Sequence, residues 1–306
     1  MTAPQTAYQG IWPALLTPLT ADLSIDIPAF ARHARHLLDE GCAGVTPFGT
    51  TGEGPSFSVA ERMAAVDGLI AGGVPAERIL VSTSCAALPD VVALTRHAVQ
   101  AGTYGCLLLP PFFLKGVPDQ GIIDAYRWVI DQVADPRLRV VLYHIPQVSG
   151  VPLSHAVVDT LCQLYPGTII GIKDSGCQRE VSLAFASAFM PPLQVWVGNE
   201  PDLQVMAAHG SVGAVSGVGN VLPHLLHRLV AHFNAPDAER DLKRVQEFIA
   251  ILGGYGMTAA FKGIMAILTH EPNWCRVRPP LVALNTDEMA RLEVQMKAFA
   301  RDPKRD

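Results

Sequence analysis

Short apolar runs alternate with amphipathic runs from near residue 10 to about residue 230, and this alternation limits the fold of the 306-residue chain more than any other feature. The apolar runs at 11–17, 44–48, 79–84, 105–109, 139–143, 168–173, 194–198 and 213–216 have the length and near-continuous hydrophobicity of strands buried on both faces. Between them, 28–40, 59–71, 90–101, 120–133, 154–164 and 201–209 carry apolar residues at helical spacing. A unit of about 25–30 residues matches repeated strand–helix units. Eight such units close into a parallel barrel. An open doubly wound sheet is the alternative, but no Gly-rich dinucleotide fingerprint follows the first strand. The expected class is therefore α/β, a (β/α)8 TIM barrel.

Strand signals stop near residue 224. Segments 224–233, 237–252, 256–269 and 286–300 read as helices, punctuated by Pro236, Pro272 and the Pro279-Pro280 pair. The expected division is a catalytic barrel over 1–223 and a C-terminal helical extension over 224–306. The last six residues, Arg301 to Asp306, read as a frayed end. The first ten lack the charged and apolar regions of a secretion signal. No apolar run reaches membrane-spanning length, since the stretch from Cys106 to Leu114 is broken by Pro110 and Pro111.

Composition narrows the function classes. A net charge of −5 without a Lys/Arg cluster argues against nucleic acid as a partner. Six scattered cysteines without a CxxC pair suit a reducing compartment, so a cytoplasmic location is expected. His33 and His36, and His224 and His227, are spaced three apart on helices, but neither pair has a third ligand pattern, so no metal is expected.

In a barrel of this kind, chemistry gathers where the strands end. Lys173 ends the apolar run Thr168-Ile169-Ile170-Gly171-Ile172. Apolar surroundings favour an amine over an ammonium ion, and a neutral amine attacks carbonyls to form a Schiff base. A lysine that merely snorkels to water is the plainer reading. Tyr143 ends the preceding run and is either a rim aromatic or a proton carrier. Gly49-Thr50-Thr51-Gly52-Glu53 follows the second run, and its N–H groups and hydroxyls suit a carboxylate as well as a tight turn. These features all fall at one end of the expected barrel, which favours the chemical readings together. Lys262 also sits among apolar residues, but in a helical context, and reads as a contact between helices or domains. His144 points away from Tyr143 on an alternating strand and reads as structural support.

With these residues in place, the chain resembles the dihydrodipicolinate synthase and N-acetylneuraminate lyase superfamily of Schiff-base pyruvate aldolases. The resemblance spans almost the whole length. It rests on GIWPALLTPL at 10–19, GTTGE at 49–53, YxxPxxSG at 143–150, GIKDS at 171–175, Gly198-Asn199-Glu200 and Gly213-Ala214-Val215-Ser216. It implies a homotetramer acting on a 2-keto acid such as pyruvate and an aldehyde, with no metal or organic cofactor. It implies Lys173 as the Schiff-base lysine and Tyr143 as the general acid/base, with Thr50 bonded to it. Thr50 and Thr51, with Gly49, would hold the keto-acid carboxylate. Val215 and Gly198 would border the pyruvyl pocket, and Glu200 would offer a polar contact.

The chain departs from this pattern at three places. Phe112-Phe113 stands where many members have a tyrosine pair, and Phe113 cannot relay protons. Val148 stands where dihydrodipicolinate synthases carry the arginine that pairs with the acceptor's carboxylate. Pro201 and Gly217 stand where sialic acid lyases place groups for sugar hydroxyls. Phe112, Phe113, Leu114 and Val148 are expected to make the outer site apolar, suiting a smaller or less hydroxylated substrate. The same imine also serves dehydratases and deaminases, and dihydrodipicolinate synthase activity itself is a further alternative. A non-catalytic protein on the same scaffold is the reading from another class, but it would be expected to have lost Lys173 or Tyr143, and both are present.

Overall fold

The structure, a computed structural model, describes residues 9–300. The readings of the first eight residues and of 301–306 lie outside the described residues. Among the described residues, seven parallel strands form one sheet: β1 (Gly10–Pro13), β2 (Leu80–Ser82), β3 (Gly105–Leu108), β4 (Val140–His144), β5 (Ile169–Asp174), β6 (Gln194–Val197) and β7 (Gly213–Ser216). Their order is β1-β7-β6-β5-β4-β3-β2.

The eighth expected strand, 44–48, is not a regular strand. It makes single parallel bridges, Thr46 to Ala14 on one side and Val45 to Ile79 on the other. It still closes the ring. The N–H groups of Ala43 and Thr46 donate to Ile11 and Pro13, and Leu80 and Ser82 donate to Val45 and Pro47. Regular pairing ends there because Pro47 has no N–H and Phe48 turns the chain away with φ 63°. Gly44 is required at the start of this segment, because a Cβ there would lie 2.2 Å from the Trp12 ring.

Side-chain alternation divides the core in two. Trp12, Tyr104, Val141, Tyr143, Trp196 and Val215 pack inside the barrel. Leu108, Val140, Leu142 and Ile172 face outward, in one core with helix residues such as Phe30, Leu161 and Phe185. Lys173, one residue beyond outward-facing Ile172, thus points inward.

Among the described residues, twelve α-helices accompany the sheet: α1 (Ile27–Asp39), α2 (Val59–Ala71), α3 (Leu88–Gln100), α4 (Asp119–Val133), α5 (Pro146–Ser149), α6 (His155–Leu164), α7 (Arg179–Phe189), α8 (Leu203–Ala208), α9 (Pro223–Ala231), α10 (Ala238–Leu252), α11 (Met257–Thr269) and α12 (Thr286–Ala300). Side-chain caps set several starts. Asp26 accepts from the Ala29 N–H at 3.0 Å, and Ser58 and Glu61 form a reciprocal capping box. Helix α7 is absent from the segments read as helical. Small residues interrupt its apolar stripe, yet parallel β5 and β6 need a crossover there. Helix α9 packs on β1 and α8, the place of the last unit's helix in a barrel, and α10–α12 lie beyond it. Among the described residues no single helix is long and apolar enough to cross a membrane.

Candidate active site

Tyr143 and Lys173 are register partners on adjacent strands β4 and β5. Both side chains are buried, Tyr143 at 2% exposure and Lys173 at 4%. The Lys173 Nζ sits 4.0 Å from the centre of the Tyr143 ring. The glycine before Lys173 is a packing requirement. A Cβ on Gly171 would lie 2.6 Å from the Trp196 ring, the residue that pairs with Lys173 from β6.

The Tyr143 hydroxyl faces Thr50 Oγ1 at 3.4 Å. Burial by itself would raise the phenol's pKa. The Lys173 charge, with hydrogen bonds from Thr50, Lys173 and Ser175, outweighs burial and holds it below the ordinary phenol value. That is the direction a proton carrier needs.

The 48–54 turn bearing Thr50 is held from both sides. Phe48 and Glu53 adopt left-handed backbone angles, and the Gly54 N–H donates to Gly49. Thr17 donates its hydroxyl to the Gly52 carbonyl at 2.8 Å. The Glu53 carboxylate forms a fully buried ion pair with Lys262 of α11 and accepts the Arg278 N–H. Lys262 also donates to the Arg276 carbonyl at 2.7 Å. It is thus a contact between the C-terminal helices and the barrel loop. Its carboxylate partner comes from the GTTGE string itself, a pairing that no local sequence pattern marks.

The other expected site residues fall around this centre in different ways. Thr51 is buried, and Gly217 leaves it room, since a Cβ there would lie 3.1 Å from Thr51 Oγ1. Val215 faces the barrel interior on β7. Gly198 lets Ser175 approach, because a Cβ on Gly198 would lie 1.8 Å from Ser175 Oγ. Glu200 accepts a 2.5 Å hydrogen bond from Ser216. His144 is buried with its Nδ1 accepting the Leu153 N–H at 3.1 Å, and its ring meets Phe185 edge-on. It braces the segment that carries Val148. The paired histidines turn to other partners, His33 to Asn220 at 3.0 Å and His224 to Glu40. Among the described residues, no three side chains of metal-binding type converge.

Above Tyr143 opens a cavity of about 790 Å³ whose wall includes Gly49, Thr50 and Tyr143. Of the four apolar residues expected to line it, Phe112 and Val148 do. Phe113 and Leu114 point outward, 76% and 69% exposed, because consecutive residues of an irregular loop cannot all face one side. Phe48 and Leu109 join Phe112 and Val148 from the barrel side, and the C-terminal segments add Met257, Leu281, Val282 and Leu284. Arg62 also belongs to this wall's support. Buried on α2, it donates to the carbonyls of Ser82 and Ser84, two residues of the cavity wall. Nothing in an amphipathic helix marks such an arginine as inward-facing.

The chain that carries this site matches a known protein family over nearly its whole length. The model of the dihydrodipicolinate synthetase family matches residues 7–299. The chain belongs to this family. It is 32% identical over 287 residues to a DapA-like lyase of Chloroflexus aurantiacus whose role is uncharacterized, covering 93% of this chain and 94% of that one. The crystal structure of dihydrodipicolinate synthase from Agrobacterium tumefaciens superposes with a TM-score of 0.89 at 32% identity, covering 95% of this chain and 99% of that one. YagE of E. coli K12, a member of the same family solved in complex with pyruvate, superposes with a TM-score of 0.87 at 25% identity, covering 96% and 99%. The protein is a lyase of this family on a (β/α)8 barrel with C-terminal helices.

Proposed function

We propose that the protein is a class I aldolase in which Lys173 forms a Schiff base with a 2-keto acid, pyruvate being the keto-acid half. The observation that carries this reading is the Lys173 amine, buried against the Tyr143 ring at the mouth of the barrel. The amine attacks the keto carbon, water leaves, and the resulting iminium draws electrons from the neighbouring C–C or C–H bond. Tyr143 takes and returns the proton, with Thr50 as its hydrogen-bond partner. Gly49, Thr50 and Thr51 hold the carboxylate through N–H groups and hydroxyls. Val215 and Gly198 border the pyruvyl half, and Glu200, bonded to Ser216, offers the remaining polar contact. No cofactor enters these steps. The assembly in this reading is a homotetramer in the cytoplasm, and 1–223 and 224–306 are its catalytic and helical parts, α9 of the latter filling the barrel's last helix position.

The test is borohydride reduction in the presence of pyruvate, followed by intact mass and peptide mapping. The expected result is one pyruvyl adduct at Lys173. An adduct at Lys262 instead, or none with any 2-keto acid, would overturn the mechanism.

A further inference from the structure

We propose that the carbonyl partner received in the outer cavity is an apolar aldehyde, of aryl or alkyl type, with neither a second carboxylate nor a polyol chain. This rests on the keto-acid reading above and adds the nature of the second substrate. A cavity of about 790 Å³ greatly exceeds the needs of a three-carbon keto acid and falls in the range that encloses drug-sized ligands. The space beyond Tyr143 therefore belongs to the partner, and its wall describes what that partner is.

The wall is apolar on two opposed sides. Leu109, Phe112 and Val148 face it from the barrel loops, and Met257, Leu281 and Leu284 from the C-terminal segments. Val148 is 58% exposed, Met257 47% and Leu281 39%. An apolar tail would remove this surface from water, which is the main source of affinity available here.

The charges on the wall disfavour an anion. Among the described residues no lysine or arginine lines the cavity. Lys115 of the adjoining loop spends its ammonium on the carbonyls of Phe112 and Ser149. The two acidic residues on the wall are Glu53, neutralised by Lys262, and Glu288, whose carboxylate accepts the Asn285 N–H on the far rim. A second carboxylate would meet Glu288 and find no cation. Two hydroxyls of the wall are engaged within the protein, Ser149 Oγ donating to the Val151 carbonyl and accepting its N–H, and Ser84 Oγ accepting the Leu109 N–H at 2.9 Å.

The chemistry balances without another reactant. The Lys173–pyruvate iminium gives up a methyl proton to the Tyr143 oxygen and becomes an enamine. Its terminal carbon bonds to the aldehyde carbon, and the C=O π pair moves to oxygen, which takes the proton back from Tyr143. Water then hydrolyses the iminium, releasing a 4-hydroxy-2-keto acid and the free amine.

The experiment condenses pyruvate with a panel of aldehydes on the intact protein, reading products by mass. Benzaldehyde and hexanal stand against succinic semialdehyde and glyceraldehyde, with borohydride trapping of pyruvate on the same preparation. The expected result is a kcat/KM for the apolar pair at least about tenfold above either polar aldehyde. Leu281→Asp puts a carboxylate on the exposed wall and is expected to lower benzaldehyde use about tenfold. A Val148→Asp variant checks the opposite wall in the same way. A trapped adduct with a polar aldehyde preferred overturns this inference and leaves the Schiff base standing. Equal use of benzaldehyde by wild type and both variants also overturns it. Failure to trap pyruvate overturns the Schiff-base reading itself.

Discussion

Two buried lysines end in opposite situations. Lys173 on β5 and Lys262 on α11 are both almost without solvent contact, at 4% and 0% exposure. Lys262 is paired with the Glu53 carboxylate and anchored to a carbonyl. Burial lowers its pKa, and Glu53 pulls in the other direction. Lys173 lies against an aromatic face, and among the described residues no carboxylate is within ion-pairing distance of it. On the proposed mechanism, burial by itself therefore does not make a lysine a nucleophile. What stands beside the amine decides whether it holds a structure together or is left available for a carbonyl.

The largest expected effect tests that contrast directly. Lys173→Ala should remove both the borohydride adduct with pyruvate and all measurable turnover, while Lys262 remains unable to substitute. Residual adduct in the variant, mapped by peptide mass, would break the comparison.

Lys262→Met should act on stability instead. It leaves the Glu53 carboxylate buried without a counter-charge, which costs about 3–5 kcal/mol. Adding Glu53→Gln removes the stranded charge, so the double variant should recover most of the loss. Urea midpoints of the three proteins check this. If the single variant unfolds like the wild type, the pair is not the anchor it resembles.

Tyr143→Phe comes next. The ring still covers Lys173, so imine formation should continue, while turnover falls by about 100-fold through loss of the proton carrier. Single-turnover trapping beside steady-state rates separates the two steps. A near-native rate would remove Tyr143 from the chemistry.

The sequence shows some parts of this contrast and conceals others. The alternation of strand and helix is local, so it survives in the chain as a readable period. The neighbouring ends of β4 and β5 follow from that order, and they bring Tyr143 and Lys173 together. The 44–48 segment has a strand's composition, but Pro47 and the turn at Phe48 reduce it to isolated bridges. The Glu53–Lys262 pair joins residues far apart in the chain, and no local pattern carries such a contact. The same holds for the C-terminal side of the cavity. Met257 and Leu281 read as ordinary helix and loop residues until the fold sets them opposite Val148.

A third buried base sharpens the rule with the smallest effect. His33 on α1 is buried, and its Nε2 donates to the Asn220 side-chain oxygen at 3.0 Å while its ring meets Trp274 edge-on. An amide dipole compensates an imidazolium far less than a carboxylate does. Burial therefore wins over that hydrogen bond, with His36 adding a small push the same way, and the pKa falls from 6.5 to about 4. Between these values the unfolded chain binds a proton that the folded chain refuses. Stability from this group is complete above pH 6.5 and is lost as pH falls towards 4. The loss should be about 1 kcal/mol between pH 7 and pH 5.5, rising to about 3 kcal/mol at the acid limit. His33→Gln keeps a donor for Asn220 but cannot titrate. Its absolute stability will drop from lost packing on Trp274, so the slope with pH is the informative quantity. The variant's urea midpoint should fall less steeply than the wild type's from pH 7 to pH 5.5, by about one proton's linkage. Parallel slopes would mean that His33 accepts a proton in the folded state, and that an amide partner can do for a buried base what Glu53 does for Lys262.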